Sequence, residues 1–159
     1  MAPKNFDIEV LEETYVAGLA VRTSNKTEQE LAEKGWIATT WEEVRQMTSP
    51  NPPAAIYTGY EGDKDDKFTV VIGFQRSAID DFKPGEVITK IPAGKYARFT
   101  RKGPLPNAVI EAWQDVWQAE ESGMLQRAYT ADLEIYPGMY ESSGEDLSNL
   151  TVDLYIAIE

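Results

Sequence analysis

The chain of 159 residues contains neither cysteine nor histidine. That absence excludes disulfides, thiolate nucleophiles, Cys/His zinc sites, histidine-ligated haem and every Ser-His-Asp triad. Any chemistry falls to carboxylates, tyrosine, lysine, serine or threonine. Basic residues are scarce as well: 15 Lys plus Arg stand against 27 Asp plus Glu, a formal net charge of -12. Such a field repels phosphate backbones and attracts cations, so direct binding to nucleic acid is not expected. No stretch approaches the roughly 20 consecutive apolar residues that span a bilayer. The opening Met-Ala-Pro-Lys-Asn also lacks the apolar stretch of a secretory signal. The expectation is a cytoplasmic protein without membrane association, in which the triplets Asn25-Lys26-Thr27 and Asn149-Leu150-Thr151 carry no sugar.

What is present is the composition of a folded protein, 42% apolar and 26% charged. The length suits one domain over residues 1–159, and that domain reads as a repeat. An offset of 76 residues lays Val16-Ala17-Gly18-Leu19-Ala20-Val21-Arg22 over Pro92-Ala93-Gly94-Lys95-Tyr96-Ala97-Arg98. The same offset lays Trp41 on Trp117, Ile37 on Trp113, and Ile56 to Tyr60 on Asp132 to Tyr136. The expected halves run from about 5–78 and 86–159.

Element order repeats too. Residues 6–23 read as a strand, and Thr27 with Glu30 reads as a capping box opening a helix. Gly35 predicts a break, with Thr39 or Thr40 capping a second start, and Pro50, Pro52 and Pro53 end the helical segment. Strands are predicted at Ala55 to Tyr60 and Lys67 to Phe74, around the acidic turn 61–66. That turn lacks the ligand order of an EF-hand loop and reads as solvated. No metal or cofactor is expected. After a join at Asp80 to Gly85, a strand over 86–101 leads to a helix from Pro106 to near Gly123, with Val109, Trp113, Val116 and Trp117 on one stripe. Strands over Ala131 to Tyr136 and Leu150 to Ile158 follow, separated by a polar loop through Ser142 to Asp146. Each half reads strand, helix, strand, strand, which gives an α+β fold: a tandem βαββ pseudo-twofold repeat, its antiparallel sheet covered by helices on one face, with a central cleft.

Alternation along the strands marks a candidate site. Leu133 and Ile135 share one face; if they face the helices, Glu134 and Tyr136 point to the far side of the sheet. In the last strand Asp153, Tyr155 and Ala157 share a face opposite to Val152, Leu154 and Ile156. A carboxylate beside Tyr136 and near Tyr155 suits a hydrophobic cation, which needs aromatic faces for its body and one negative charge for its head. The alternatives are a solvated acid on an exposed face for Glu134 and ordinary packing for the two tyrosines. Trp113 and Trp117, four apart, share a helical face and read as core. Arg22 and Arg98, at matching places in the repeat, are expected to pair with carboxylates across the sheet.

The segments Val87 to Phe99, Ala112 to Trp117, Asp132-Leu133-Glu134-Ile135-Tyr136 and Leu154 to Ile158 resemble the GyrI-like family. That family comprises effector-binding domains of AraC-type and MerR-type multidrug transcription regulators and their free-standing relatives. The resemblance covers essentially the whole chain, most specifically the Ile-Pro-Ala-Gly-Lys-Tyr-Ala and Asp-Leu-Glu-Ile-Tyr strands. It implies a central cleft for lipophilic, often cationic aromatic compounds, with Glu134 as counter-charge. It also implies Trp113, Tyr136 and Tyr155 as lining residues, with Phe74 from the first half. No helix-turn-helix segment remains once both halves are assigned. Two other functions fit the resemblance. One is hydrolysis of strained, cyclopropane-containing natural products, with Glu134 as base and Tyr155 or Tyr136 as proton donor. The other is binding a basic protein partner through the acidic surface, as gyrase-inhibitor relatives do.

Overall fold

The computed structural model describes residues 6–47, 49, 51–63, 65–77, 84–137 and 150–159. The opening five residues, most of the join at Asp80 to Gly85, the polar loop through Ser142 to Asp146, Asn149, Pro50 and Lys64 lie outside them. Eight strands among the described residues form one antiparallel sheet: β1 Asp7–Leu11, β2 Thr14–Thr23, β3 Pro53–Thr58, β4 Phe68–Arg76, β5 Val87–Ile91, β6 Gly94–Gly103, β7 Ala131–Ile135 and β8 Leu150–Ala157. Their order across the sheet is β1-β6-β8-β7-β3-β4-β2-β5. Exchanging β1 to β4 for β5 to β8 reverses this order into itself, so the centre of the sheet is the β3–β7 pair.

Each long strand expected at the start of a half is one extended segment with an interruption. β1 and β2 are parted by Glu12-Glu13, and β5 and β6 by Pro92-Ala93. Proline has no N–H to give to a ladder, which accounts for the interruption on that side. The two ribbons nevertheless keep a single register, Leu11 facing Gly94 and Thr14 facing Ile91. The sheet therefore curls until its two ends meet through chain continuity. The β2–β4 contact is tightest at Gly18, opposite Gly73, where a Cβ on either glycine would lie 1.9 Å from the facing carbonyl oxygen. Only glycine fits at such a backbone approach.

Helices α1 (Asn25–Leu31), α2 (Trp36–Arg45) and α3 (Asn107–Glu121) cover one face. The first helix begins earlier than the expected Thr27–Glu30 box: Ser24 is the cap, its hydroxyl accepting from the Thr27 amide at 3.2 Å. The break at Gly35 is present, and a 3-10 turn over Ala32–Lys34 precedes it. α2 starts directly after Gly35 rather than at Thr39 or Thr40, whose hydroxyls bond back to the Gly35 and Trp36 carbonyls. The cap is supplied from a distance. Glu28 accepts the Ile37 amide at 2.8 Å and the Thr23 hydroxyl at 2.7 Å. A Cβ at Gly35 would meet that Glu28 oxygen at 2.8 Å, so glycine here makes room for the cap.

α3 lays Ala108, Ala112, Val116 and Ala119 on the sheet. α2 buries only Val44, and α1 buries nothing. Three apolar clusters result. One lies under α3 and includes Phe99, Leu154 and Ile156; one lies under α2 with Tyr57, Phe68, Val70 and Ile72. The third, with Val16, Ile56, Ile91, Tyr96, Leu133 and Ile135, fills the concave side of the curled sheet. Trp41 and Trp113 pack against both helix-side clusters and so mark the seam between α2 and α3. No helix among the described residues is long and apolar enough to cross a membrane.

Candidate functional site

β7 carries two acids on one face, Asp132 and Glu134, both buried. The face is the reverse of the expected one. Leu133 and Ile135 belong to the concave cluster, so alternation turns Asp132 and Glu134 towards the helices. Apolar residues line both sides of this sheet, and the pattern of one strand alone did not identify which side the helices cover.

Glu134 lies between Ala55 and Leu154 on its neighbouring strands and is 2% exposed. Its Oε1 accepts from the Trp113 indole N–H at 3.0 Å and the Tyr57 hydroxyl at 3.2 Å. Its Oε2 accepts from the Tyr136 hydroxyl at 2.9 Å. The rings brace one another: Tyr57 meets Trp113 edge-on at 5.0 Å, and Trp41 meets Tyr136 edge-on at 5.4 Å. Every donor is neutral, and no cation lies in ion-pair range of Glu134 among the described residues. Burial consequently pushes the Glu134 carboxyl above its usual range, against the three hydrogen bonds that favour the charged form. Burial first, then the adjacent negative charge, drive the Tyr57 and Tyr136 phenols far upward, so both remain donors.

Asp132 is held differently. Its Oδ2 accepts from Arg127 at 2.9 Å and from the Tyr60 hydroxyl at 2.5 Å, while Oδ1 accepts the Ala157 amide at 2.8 Å. The Arg127 guanidinium, its side chain 2% exposed, lies 4.2 Å from the Tyr129 ring centre, 5.7 Å from Tyr60 and 5.9 Å from Trp113. Tyr129 donates to Glu120. Of two buried acids on one strand face, one has a cation from its own chain and the other has none among the described residues.

Among the expected site residues, the structure brings Glu134, Tyr136 and Trp113 together. Tyr155 stands across from Leu133 and Arg98, on the concave side, so the sheet separates it from Glu134. Phe74 shares the helix-side face and packs in the α2 cluster, opposite Pro53 and Ala17. Tyr57, Trp41 and the Arg127 constellation were not anticipated. The offset of 76 concealed Tyr57 by laying it on Leu133, a residue of the opposite face; it matches the long strands and fails by one residue's parity at β3 and β7. Arg22 and Arg98 do pair with acids, Arg22 with Glu61 at 2.7 Å and Arg98 with Asp153 at 3.3 Å and Glu9 at 3.4 Å.

A family model for integron-associated effector binding proteins, Cass2, matches residues 7–158. The chain belongs to the Cass2 family. A candidate transcriptional regulator of Bacillus subtilis (strain 168), YobU, is 30% identical over 155 residues, covering 90% of this chain and 91% of that protein. The crystal structure of an integron cassette protein from the mobile metagenome of Vibrio cholerae superposes with a TM-score of 0.76 at 28% identity, over 98% of this chain and 97% of the other. SAV2435, solved with tetraphenylphosphonium bound, shares the fold at a TM-score of 0.67 and 12% identity, over 98% and 94% of the two chains. The GyrI-like effector-binding fold expected from the Ile-Pro-Ala-Gly-Lys-Tyr-Ala and Asp-Leu-Glu-Ile-Tyr strands is thus the Cass2 fold found here. Effector binding is the property that names the family.

Proposed function

We propose that this chain is a cytoplasmic multidrug-type receptor for lipophilic aromatic cations, with Glu134 as counter-charge and Trp113, Tyr136, Tyr57 and Trp41 as walls. One observation carries the reading: a carboxylate 2% exposed, held by three neutral donors and facing no cation among the described residues. A buried, unpaired carboxylate costs several kcal/mol, and a cation entering the box recovers part of that cost. The hydrogen bonding narrows the ligand further. Three of roughly four acceptor positions on the carboxylate are occupied, so a guest gains from Coulomb attraction and ring contact more than from its own N–H groups. Quaternary onium ions and fully alkylated dyes fit this better than primary amines or guanidines. The tetraphenylphosphonium bound to SAV2435 is such an ion.

Access runs through the seam. Trp41 and Trp113 are each partly buried, and a ligand reaches Glu134 once one of these rings turns aside. Of the two proton donors open to the hydrolytic reading, Tyr155 is parted from Glu134 by the sheet, and Tyr136 donates to Glu134 at 2.9 Å.

The test uses two ions of matched shape and opposite charge. Tetraphenylphosphonium is expected to change the tryptophan fluorescence of the wild type, and tetraphenylborate is not. In Glu134→Gln the phosphonium should bind about 10- to 100-fold more weakly, the scale of one close buried charge pair. Equal binding of both ions by the wild type would refute the proposal.

A further inference from the structure

The aromatic box with a carboxylate occurs twice in this molecule, and Trp113 is a wall of both. The first box is Glu134 with Tyr57, Tyr136 and Trp113. The second is Asp132 and Glu120 with Tyr60, Tyr129 and Trp113, and the Arg127 guanidinium stands inside it. The two counter-charges sit two residues apart on one strand face, about 7 Å by strand geometry. The second box is also imperfectly filled. The Arg127 Nε and the Glu120 Oε1 are both buried without a hydrogen-bond partner, and the Arg127–Glu120 approach is 3.8 Å, too long for one. The fit there is that of a cation in a cage, with one guanidinium edge bonded and the other not.

We infer that Arg127 is a specificity-determining residue: it occupies the second cation position permanently and restricts the effector to a single positive charge. The inference rests on the function proposed above. A ligand with two cationic centres would place its second charge against Arg127, whereas removing Arg127 frees Asp132, and Glu120 behind it, to receive that charge. The shared Trp113 would then contact both charges of one guest.

The experiment compares benzyltrimethylammonium with para-xylylene-bis(trimethylammonium), whose two charges are spaced about as the two acids are. Affinities are measured by calorimetry, with tetraphenylphosphonium as a control for an intact Glu134 box. The wild type should prefer the monocation. Arg127→Met should shift the dication-to-monocation affinity ratio by about tenfold or more in favour of the dication, the least a close buried charge pair contributes. Arg127→Lys, which keeps the charge, should keep the wild-type ratio. Arg127→Met leaves Asp132 bare, so its folding is followed by thermal denaturation with each ligand. If the variant is unfolded alone, the dication should restore the transition and the monocation should not. The double variant Arg127→Met/Asp132→Asn leaves only the more distant Glu120 for the second charge and should show a smaller dication gain than Arg127→Met. An unchanged ratio in Arg127→Met, or no rescue of an unfolded variant by the dication, overturns the inference. Wild type that ignores tetraphenylphosphonium, or binds it equally after Glu134→Gln, overturns the receptor proposal itself. The two failures are therefore distinguishable.

Discussion

At the scale of single residues, Glu134 is set apart by its surroundings. Burial raises its carboxyl above the usual range by disfavouring the charged form, and a bound cation would favour that form. A raised acid makes the folded state bind more protons than the unfolded state, so its contribution to stability shrinks as pH climbs from the ordinary carboxylate range through the raised value. Cation affinity runs the opposite way and should strengthen over that window, up to about tenfold per pH unit below the raised pKa. Titrations with tetraphenylphosphonium at a series of pH values check this, and Glu134→Gln should flatten the curve. The same variant should be more stable than wild type at pH 8 by about 1 kcal/mol in chemical denaturation, the trade expected where a site keeps a destabilising group for function. Much at this scale was readable from the chain alone. Glu134, Tyr136 and Trp113 stand in compact local patterns, two residues apart on a strand or on a helical stripe. Tyr57 meets Glu134 only through pairing between segments 77 residues apart, which no local pattern encodes, and Arg127 reaches Asp132 from five residues away across an irregular connection with no periodic signal.

Among the elements, α1 and α2 form the least anchored part of the helical layer. α1 buries no residue and α2 buries Val44 alone, whereas α3 buries four. Local opening follows such differences, because an element with little buried apolar surface detaches at low free energy. Hydrogen exchange should therefore be fastest in α1 and α2 among the helices, and tetraphenylphosphonium should slow it in α2, which carries Trp41, more than in α3. Gly35→Ala probes the joint between them. Its Cβ would displace the Glu28 carboxylate that caps Ile37, and the expected loss is about 1 kcal/mol, the value of a helix cap, with exchange accelerated at the start of α2. The helix break at Gly35 and the strand spans were legible, since glycine, proline and period-two alternation are local signals. The cap was not, because Glu28 reaches Ile37 across a break rather than at the capping-box spacing.

For the whole molecule, the -12 charge and the single curled sheet set the behaviour. An acidic envelope raises the local concentration of cations, so association of tetraphenylphosphonium should slow as ionic strength rises while its dissociation changes little. Stopped-flow fluorescence separates the two. The sheet topology could be foreseen only in part: the order of elements within each half was readable, but the placement of β1 beside β6 and of β5 beside β2 depends on ladders between residues 69 to 91 apart. Those ladders mean that each half completes its sheet with a strand lent by the other. Fragments parted in the join between β4 and β5 should be disordered singly and should regain the native circular dichroism when mixed. An interlocked arrangement of this kind is what two copies of one small protein would make by trading their leading strands. The chain thus carries within one polypeptide the strand exchange of a two-chain assembly, with the acid Glu134 on one side of its central β3–β7 seam and Tyr57 on the other.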